Sequence, residues 1–319
     1  MKILGFHFLT LSQIKFLNKY TKRIWDEDKY KYVRGKWTLD MKTGLVNVNG
    51  HFNCLDMGLT DFKGVRFGVI KGSFHCQHNK LTSLEGAPKE VGGYFDCSYN
   101  KLTSLEGAPK KVGRGFDCHF NKLTSLVGAP QEVGGSFFCG NNQLTSLEGA
   151  PQEVGKSFDC SGNNLTSLEG APKKVGSVFD CSNNQLTSLK GSPQKVGVNF
   201  NCYGNKLTSL KGAPKRLKGY LNCHANNLTS LEGAPPKKVS DKISCYNNTI
   251  SEKTLKLVWD NMRTRKIDYC IALCILNGQI DSDEWDKMIR GYEDKITPEA
   301  IKTYAIAYRY SLQGLFYSL

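Results

Sequence analysis

Thiols at a fixed spacing are the first residues in this chain that could do chemistry. Ten of its twelve cysteines stand at 54, 76, 97, 118, 139, 160, 181, 202, 223 and 245, with intervals of 22, then seven of 21, then 22. Thiolates ligate metals, form disulfides and attack electrophiles. The run His75-Cys76-Gln77-His78 adds two imidazoles to one copy. Cys270 and Cys274 fall four apart among Ile271, Ala272, Leu273 and Ile275. Aspartates and aromatic residues recur beside the cysteines and suit the grip of a partner. Lysines gather elsewhere in the period and suit phosphate.

So constant an interval is the mark of a tandem repeat. Each unit reads Phe-x-Cys-x-x-Asn-x-Leu-Thr-Ser-Leu-x-Gly-Ala-Pro-x-x-Val-Gly, as from Phe95 to Gly113. Phe95 and Cys97 are two apart, the period of a strand whose alternate side chains share a face, so Asp96 and Ser98 should face outward. Gly107 and Pro109 then break any helix. Only about a dozen residues remain, too few for a crossover helix, so the return should be extended or 3₁₀. In-register stacking gives a parallel sheet with strands about 4.8 Å apart and, for ten coils, a solenoid of very roughly 50 Å.

This geometry decides the chemistry. Parallel thiol vectors disfavour disulfides, and thiols packed beside Phe and Leu columns behave as small hydrophobes, which implies a reducing compartment. His75 and Gln77 should point away from Cys76, so three convergent metal ligands are not expected. Cys270 and Cys274 have no neighbouring base or charged activator. With no serine-histidine-acid set, phosphate loop or paired carboxylates, the reading is no enzyme, no metal and no cofactor.

The core follows by column: Phe74, Phe95, Phe116, Phe137, Phe158, Phe179 and Phe200, relaxed to Leu221 and Ile243, with further ladders starting at Leu81, Leu84 and Val91. Stability should come from stacking, which requires caps at the ends. The column from Asn79 to Asn248 should point inward and bond backbone groups of the turn, because a buried amide without partners costs about 2 to 7 kcal/mol.

The spacing Phe95-x-Cys97-x-x-Asn100-x-Leu102-x-x-Leu105 resembles the leucine-rich repeat signature, with Phe and Cys in place of two leucines. The longer phrase Asn-x-Leu-Thr-Ser-Leu-x-Gly-Ala-Pro-x-x-Val-Gly resembles the short leucine-rich repeats of proteins encoded by tailed bacteriophages. The stretch Trp37 to Gly50 is similar to their opening segment. The resemblance implies an α/β repeat solenoid: a right-handed coil with a parallel sheet on its concave face, little helix on its convex face and helical caps at both ends. It also implies protein binding, a host target such as a defence protein, and a cytoplasmic setting in the host cell.

Three regions are expected. Residues 1–45 form an amino-terminal helix and hairpin cap, 46–250 a ten-coil solenoid, and 251–319 a helical cap or small domain. In the first, residues 9–25 read as an amphipathic helix with Leu11, Ile14, Leu17 and Trp25 toward the first coil and Lys15, Lys19, Lys22 and Arg23 toward water. A hairpin is expected around Met41 to Gly44. Met1 to Ile14 lacks a small-residue cleavage site, so no secretory leader is expected.

The chain carries 43 basic and 29 acidic residues, a formal +14, and 39% hydrophobic residues, enough for a sizeable core. No apolar run reaches the roughly 20 residues of a membrane span, so no membrane partner is expected. Positions that vary between coils should be the ones free for recognition. Tyr94, Tyr99, His119, Phe120 and Phe138 should form one aromatic cluster and Tyr203, Tyr220, His224 and Tyr246 another. Between them an acidic stripe of Asp96, Asp117, Asp159 and Asp180 favours a protein partner with a basic surface. Lys110, Lys111, Lys173, Lys174, Lys190, Lys195, Lys211, Lys215, Arg216, Lys218, Lys237 and Lys238 form an opposing edge, expected mainly to block strand aggregation. A nucleic-acid binder using that edge, or a structural component, are the alternative readings.

Overall fold

The computed structural model describes residues 2–3, 6–21, 24–26, 31–33, 36–235, 242–245 and 248–249. The helices expected beyond 250, together with Lys237, Lys238, Tyr246, Cys270 and Cys274, lie outside the described residues.

The 21-residue period is one turn of a parallel β-solenoid. Phe95–Asp96 pairs with Phe74–His75 on one side and Phe116–Asp117 on the other, so each residue lies beside its equivalent one period away. Ten such strands, from Phe52–Asn53 to Lys242–Ser244, make the phenylalanine sheet. The return segment is extended, as expected, but it also pairs with its neighbours. Glu90–Val91 and its equivalents through Arg216–Leu217 form a second parallel sheet, the valine sheet. Phe67–Ile70 and the antiparallel hairpin of Lys36–Asp40 with Leu45–Asn49 complete that sheet at its amino-terminal end. Two-residue strands between a proline and a glycine are too short to show a period of their own, which is why the sequence suggests only a connector there.

Both sheets turn their inner faces to one core. Phe52, Phe74, Phe95, Phe116, Phe137, Phe158, Phe179 and Phe200 are fully buried, with neighbouring rings 5.1 to 5.6 Å apart. The ten thiols beside them are buried. Each of several donates to a carbonyl of the following coil, as Cys97 Sγ does to Asp117 O at 3.3 Å and Cys139 Sγ to Asp159 O at 3.2 Å. Burial pushes the Cys54 thiol up to about 12 and its neighbours well above their usual value, so these sulfurs are packing groups held as thiols.

The asparagine column links coil to coil. The Asn142 amide donates to Cys139 O and Gly140 O of its own coil at 3.1 and 3.2 Å, and to Cys118 O of the preceding coil at 3.1 Å. Its Oδ1 accepts from the preceding coil's Leu123 N at 3.0 Å. The pattern recurs from Asn79 to Asn248. The glycine after each valine answers a different demand: a Cβ on Gly155 would collide with the backbone oxygen of Gly134 in the coil beneath.

At the amino-terminal end a helix spans Leu11–Tyr20, opened by a capping box in which Thr10 Oγ1 accepts from Gln13 N and Gln13 Oε1 accepts from Thr10 N. Phe16 and Leu17 are its buried residues, and the Phe16 ring lies 5.6 Å from Phe52, closing the first coil. The helix is shorter than the expected 9–25. Leu11 is 68% exposed, and Trp25 belongs to the strand Ile24–Asp26, paired with Lys31–Val33, where its aromatic and β-branched company favours extended structure. The hairpin at Met41 to Gly44 forms as expected, with the Asp40 carboxylate accepting from Lys42 N and Thr43 N.

Replacing one clamp, Asn142→Ala, removes four buried hydrogen bonds at once. It should lower stability by about 3 kcal/mol or more in urea unfolding, since each stranded buried group costs roughly 1 to 3 kcal/mol. A loss below about 1 kcal/mol would contradict the role given to the amide.

Candidate interaction site

On the outer surface of the phenylalanine sheet each coil presents three positions: one between Phe and Cys, and the two after Cys. The third has a conformation the repeat pattern conceals. Two residues after the cysteine the backbone is left-handed in coil after coil: Asp56, His78, Tyr99, Phe120, Asn141, Asn183 and Ala225 have φ between 49° and 55°, and Gly162 and Gly204 have φ of 62° and 64°. This kink turns the chain out of the strand so that the next residue, the asparagine, can drop into the core. Gly, Asn and Asp tolerate it, whereas large side chains do so at a cost. His78, Tyr99 and Phe120 therefore sit on three consecutive coils where small or amide residues suffice elsewhere.

These three rings form one stack. His78 lies 4.3 Å from Tyr99 at 10° and Tyr99 lies 4.5 Å from Phe120 at 16°, centroid to centroid. His119 meets Tyr99 and Phe120 edge-on at 5.1 and 5.0 Å. Tyr99 and Phe120 remain 40% and 42% exposed. The structure thus brings Tyr99, His119 and Phe120 of the expected cluster together. His78 joins it, because the stack follows the left-handed column rather than nearness in sequence. Tyr94 does not: it sits at the other end of its strand, over Gly115 and within 6.0 Å of the Arg114 guanidinium. Phe138 lies instead in the aspartate row, in register between Asp117 and Asp159. In the second expected cluster Tyr203 and His224 stack at 4.6 Å and 6° and Tyr220 is exposed. Tyr246 is outside the described residues.

The aspartate row is not freely solvated, contrary to the simple alternation reading. Asp96, Asp117, Asp159 and Asp180 are half-buried, and Ser98 and Ser182 are buried. Asp96 Oδ1 accepts from Ser98 N and Oγ at 3.0 and 2.7 Å, and Asp180 Oδ1 accepts from the same atoms of Ser182 at 3.0 and 2.6 Å. Asn201 Nδ2 donates to Asp180 Oδ2 at 2.9 Å. Asp117 pairs with the His119 ring through Nδ1. Burial raises the carboxyls of Asp96 and Asp159 above their usual range despite those hydrogen bonds. For His119 burial works downward, but the Asp117 hydrogen bond and the charges of Asp117, Asp96 and Asp159 outweigh it and raise the imidazole. Burial lowers His75 and His224.

Three buried side-chain atoms among the described residues have no hydrogen-bond partner: His75 Nδ1, Gln77 Oε1 and Asn201 Oδ1. All three belong to the outer rows of the phenylalanine sheet, where spacing places them, but spacing does not reveal their burial. The Cys76 sulfur donates inward to Asp96 O at 3.3 Å while His78 stacks on Tyr99, so the His-Cys-Gln-His run serves packing and surface separately.

No family model and no curated protein matches the chain. Among solved structures, YopM from Yersinia enterocolitica WA-314 is similar, at 16% identity and a TM-score of 0.36 over 63% of this chain and 61% of that one. The chain thus spans about three fifths of that protein, and a superposition this loose carries no argument about binding.

The raised His119 stabilises the fold fully below its unfolded pKa of about 6.5, and that contribution is lost as pH rises through the higher native value. In proton NMR titration His119 should titrate above about 6.5 and His75 and His224 below it. Asp117→Asn should drop His119 toward the others; no movement would sever the pair.

Proposed function

We propose that this chain is a non-enzymatic protein-interaction module whose partner docks on the outer rows of the phenylalanine sheet. The observation that carries this reading is the exposed His78–Tyr99–Phe120 stack, built at backbone positions where aromatic residues are disfavoured. Strain kept at a surface the fold could satisfy with Asn or Gly points to use of that surface. Flanking it, the adjacent carboxylates of Asp96 and Asp117, and of Asp159 and Asp180, repel one another across neighbouring strands. A partner with a basic surface relieves both that repulsion and the unmatched polar atoms beside it. Tyr203, His224, Tyr220 and, by continuation of the repeat, Tyr246 supply a second contact, and Phe138 an apolar point within the acidic row. Among the described residues no helix is long and apolar enough to cross a membrane. A bacteriophage origin, a host protein such as a defence factor as target, and action in the host cytoplasm complete the reading, and rest on the repeat resemblance alone.

The test separates binding from folding. A partner captured from host lysate and then purified is titrated against the parent and against Tyr99→Asn/Phe120→Asn. Relief of left-handed strain, about 1 to 2 kcal/mol per residue, roughly offsets lost ring pairs of about 0.5 to 1.5 kcal/mol, so the unfolding midpoint should barely move. Affinity should fall about 30-fold or more, the loss of at least about 2 kcal/mol typical of a hot spot. Unchanged affinity would exclude this face.

A further inference from the structure

The lysines expected at an edge are not at one. Their main row is the outer face of the valine sheet, where the two residues before each buried valine are exposed. Those pairs read Lys89-Glu90, Lys110-Lys111, Gln131-Glu132, Gln152-Glu153, Lys173-Lys174, Gln194-Lys195 and Lys215-Arg216 on successive coils. The first four mix signs, and Lys111 binds Glu132 at 2.9 Å. The last three place five cations in six positions.

Lys174, Lys195 and Arg216 lie directly beside one another in register. Lys174 reaches back to Glu153 at 3.2 Å, but Lys195 and Arg216 have no ion pair among the described residues. Like charges opposed across strands destabilise a sheet. Residues 171–220 hold nine basic residues and one acidic, against two and five in residues 121–170. That single carboxylate, Asp180, faces outward from the other sheet. Protection of an open edge does not account for the row, because the strands Lys174–Val175 and Lys195–Val196 are paired on both sides.

We propose that this face binds nucleic acid through its phosphate backbone, without reading bases. Cations on neighbouring strands stand about 4.8 Å apart and form a straight track along the solenoid axis, suited to a linear polyanion. The six positions of the track hold only Lys, Arg and Gln, so they lack the apolar anchor that a protein interface or a membrane surface uses at its core. Recognition by charge alone is the mark of phosphate contact. This surface is separate from the aromatic rows, so it stands or falls independently of the protein partner.

The experiment is fluorescence anisotropy of a labelled 20-base-pair DNA duplex with the full chain between about 50 and 200 mM salt. Three phosphate contacts predict a slope of log affinity against log salt of about −2.7, at roughly −0.9 per contact. Lys195→Glu/Arg216→Glu should weaken binding at least tenfold, and Lys195→Gln/Arg216→Gln, which adds no repulsion, should flatten the slope by about 1.8. Lys101→Glu/Lys122→Glu, the same charge change on another exposed row, should alter affinity by less than about threefold. Absence of binding at low salt would overturn the proposal. Equal loss in the control pair would reduce it to net charge. Displacement by poly-glutamate more readily than by unlabelled duplex at equal charge would assign the face to an acidic protein instead.

Discussion

Each turn of this solenoid depends on a primary amide buried where the strand ends. An amide has two donors and an acceptor with two lone pairs, and here it ties two backbone oxygens of its own coil to an oxygen and an N–H of the coil before. No aliphatic side chain could replace it without leaving those groups stranded. The left-handed kink just before it, the glycine that lets coils approach and the in-register sheets all serve to bring that amide to the same place every 21 residues.

Because interior positions repeat, individuality is confined to the outside, and it is unevenly spread. The phenylalanine sheet gathers rings on its early coils and carboxylates through its middle, while the valine sheet gathers cations late. Both surfaces oppose like charges on adjacent strands, and one adds aromatic residues in a strained backbone. A chain selected for stability alone would alternate signs, as the pairs Lys111–Glu132, Glu153–Lys174, Glu169–Lys190 and Lys211–Glu232 do. Those bridges lie both in the valine sheet and outside either sheet, and they contrast with the opposed cations of Lys195 and Arg216.

What the sequence made legible was whatever repeats. The period, the burial of the Phe, Cys, Leu and Val columns and the inward asparagine all follow from spacing and alternation, and all are present. Its blind spots were conformational. Nothing in Cys-Ser-Tyr-Asn announces a left-handed tyrosine at position 99, so proximity in sequence points to Tyr94 and passes over His78. Simple alternation also sends Asp96 and Ser98 to solvent, whereas Asp96 is half-buried and Ser98 buried, the two bonded to each other. Glu90–Val91 is too brief to declare itself a strand, so spacing alone suggests a connector and an edge of lysines where the structure has a second sheet. At the amino-terminal end the amphipathic pattern ran past Tyr20 because periodicity cannot see that Trp25 has a strand partner.

The amide clamp has a direction. Each asparagine reaches across to the coil that precedes it in the chain: Asn142 to Cys118 and Leu123, Asn163 to Cys139 and Leu144. A ribosome delivers the coils in that order, so every newly made arm emerges to find its partners in the preceding coil already made, with the Phe16 and Leu17 cap made before the coils. Synthesis can therefore set each amide arm onto a coil already made, while the thiol and strand N–H groups of that coil find their acceptors in the next.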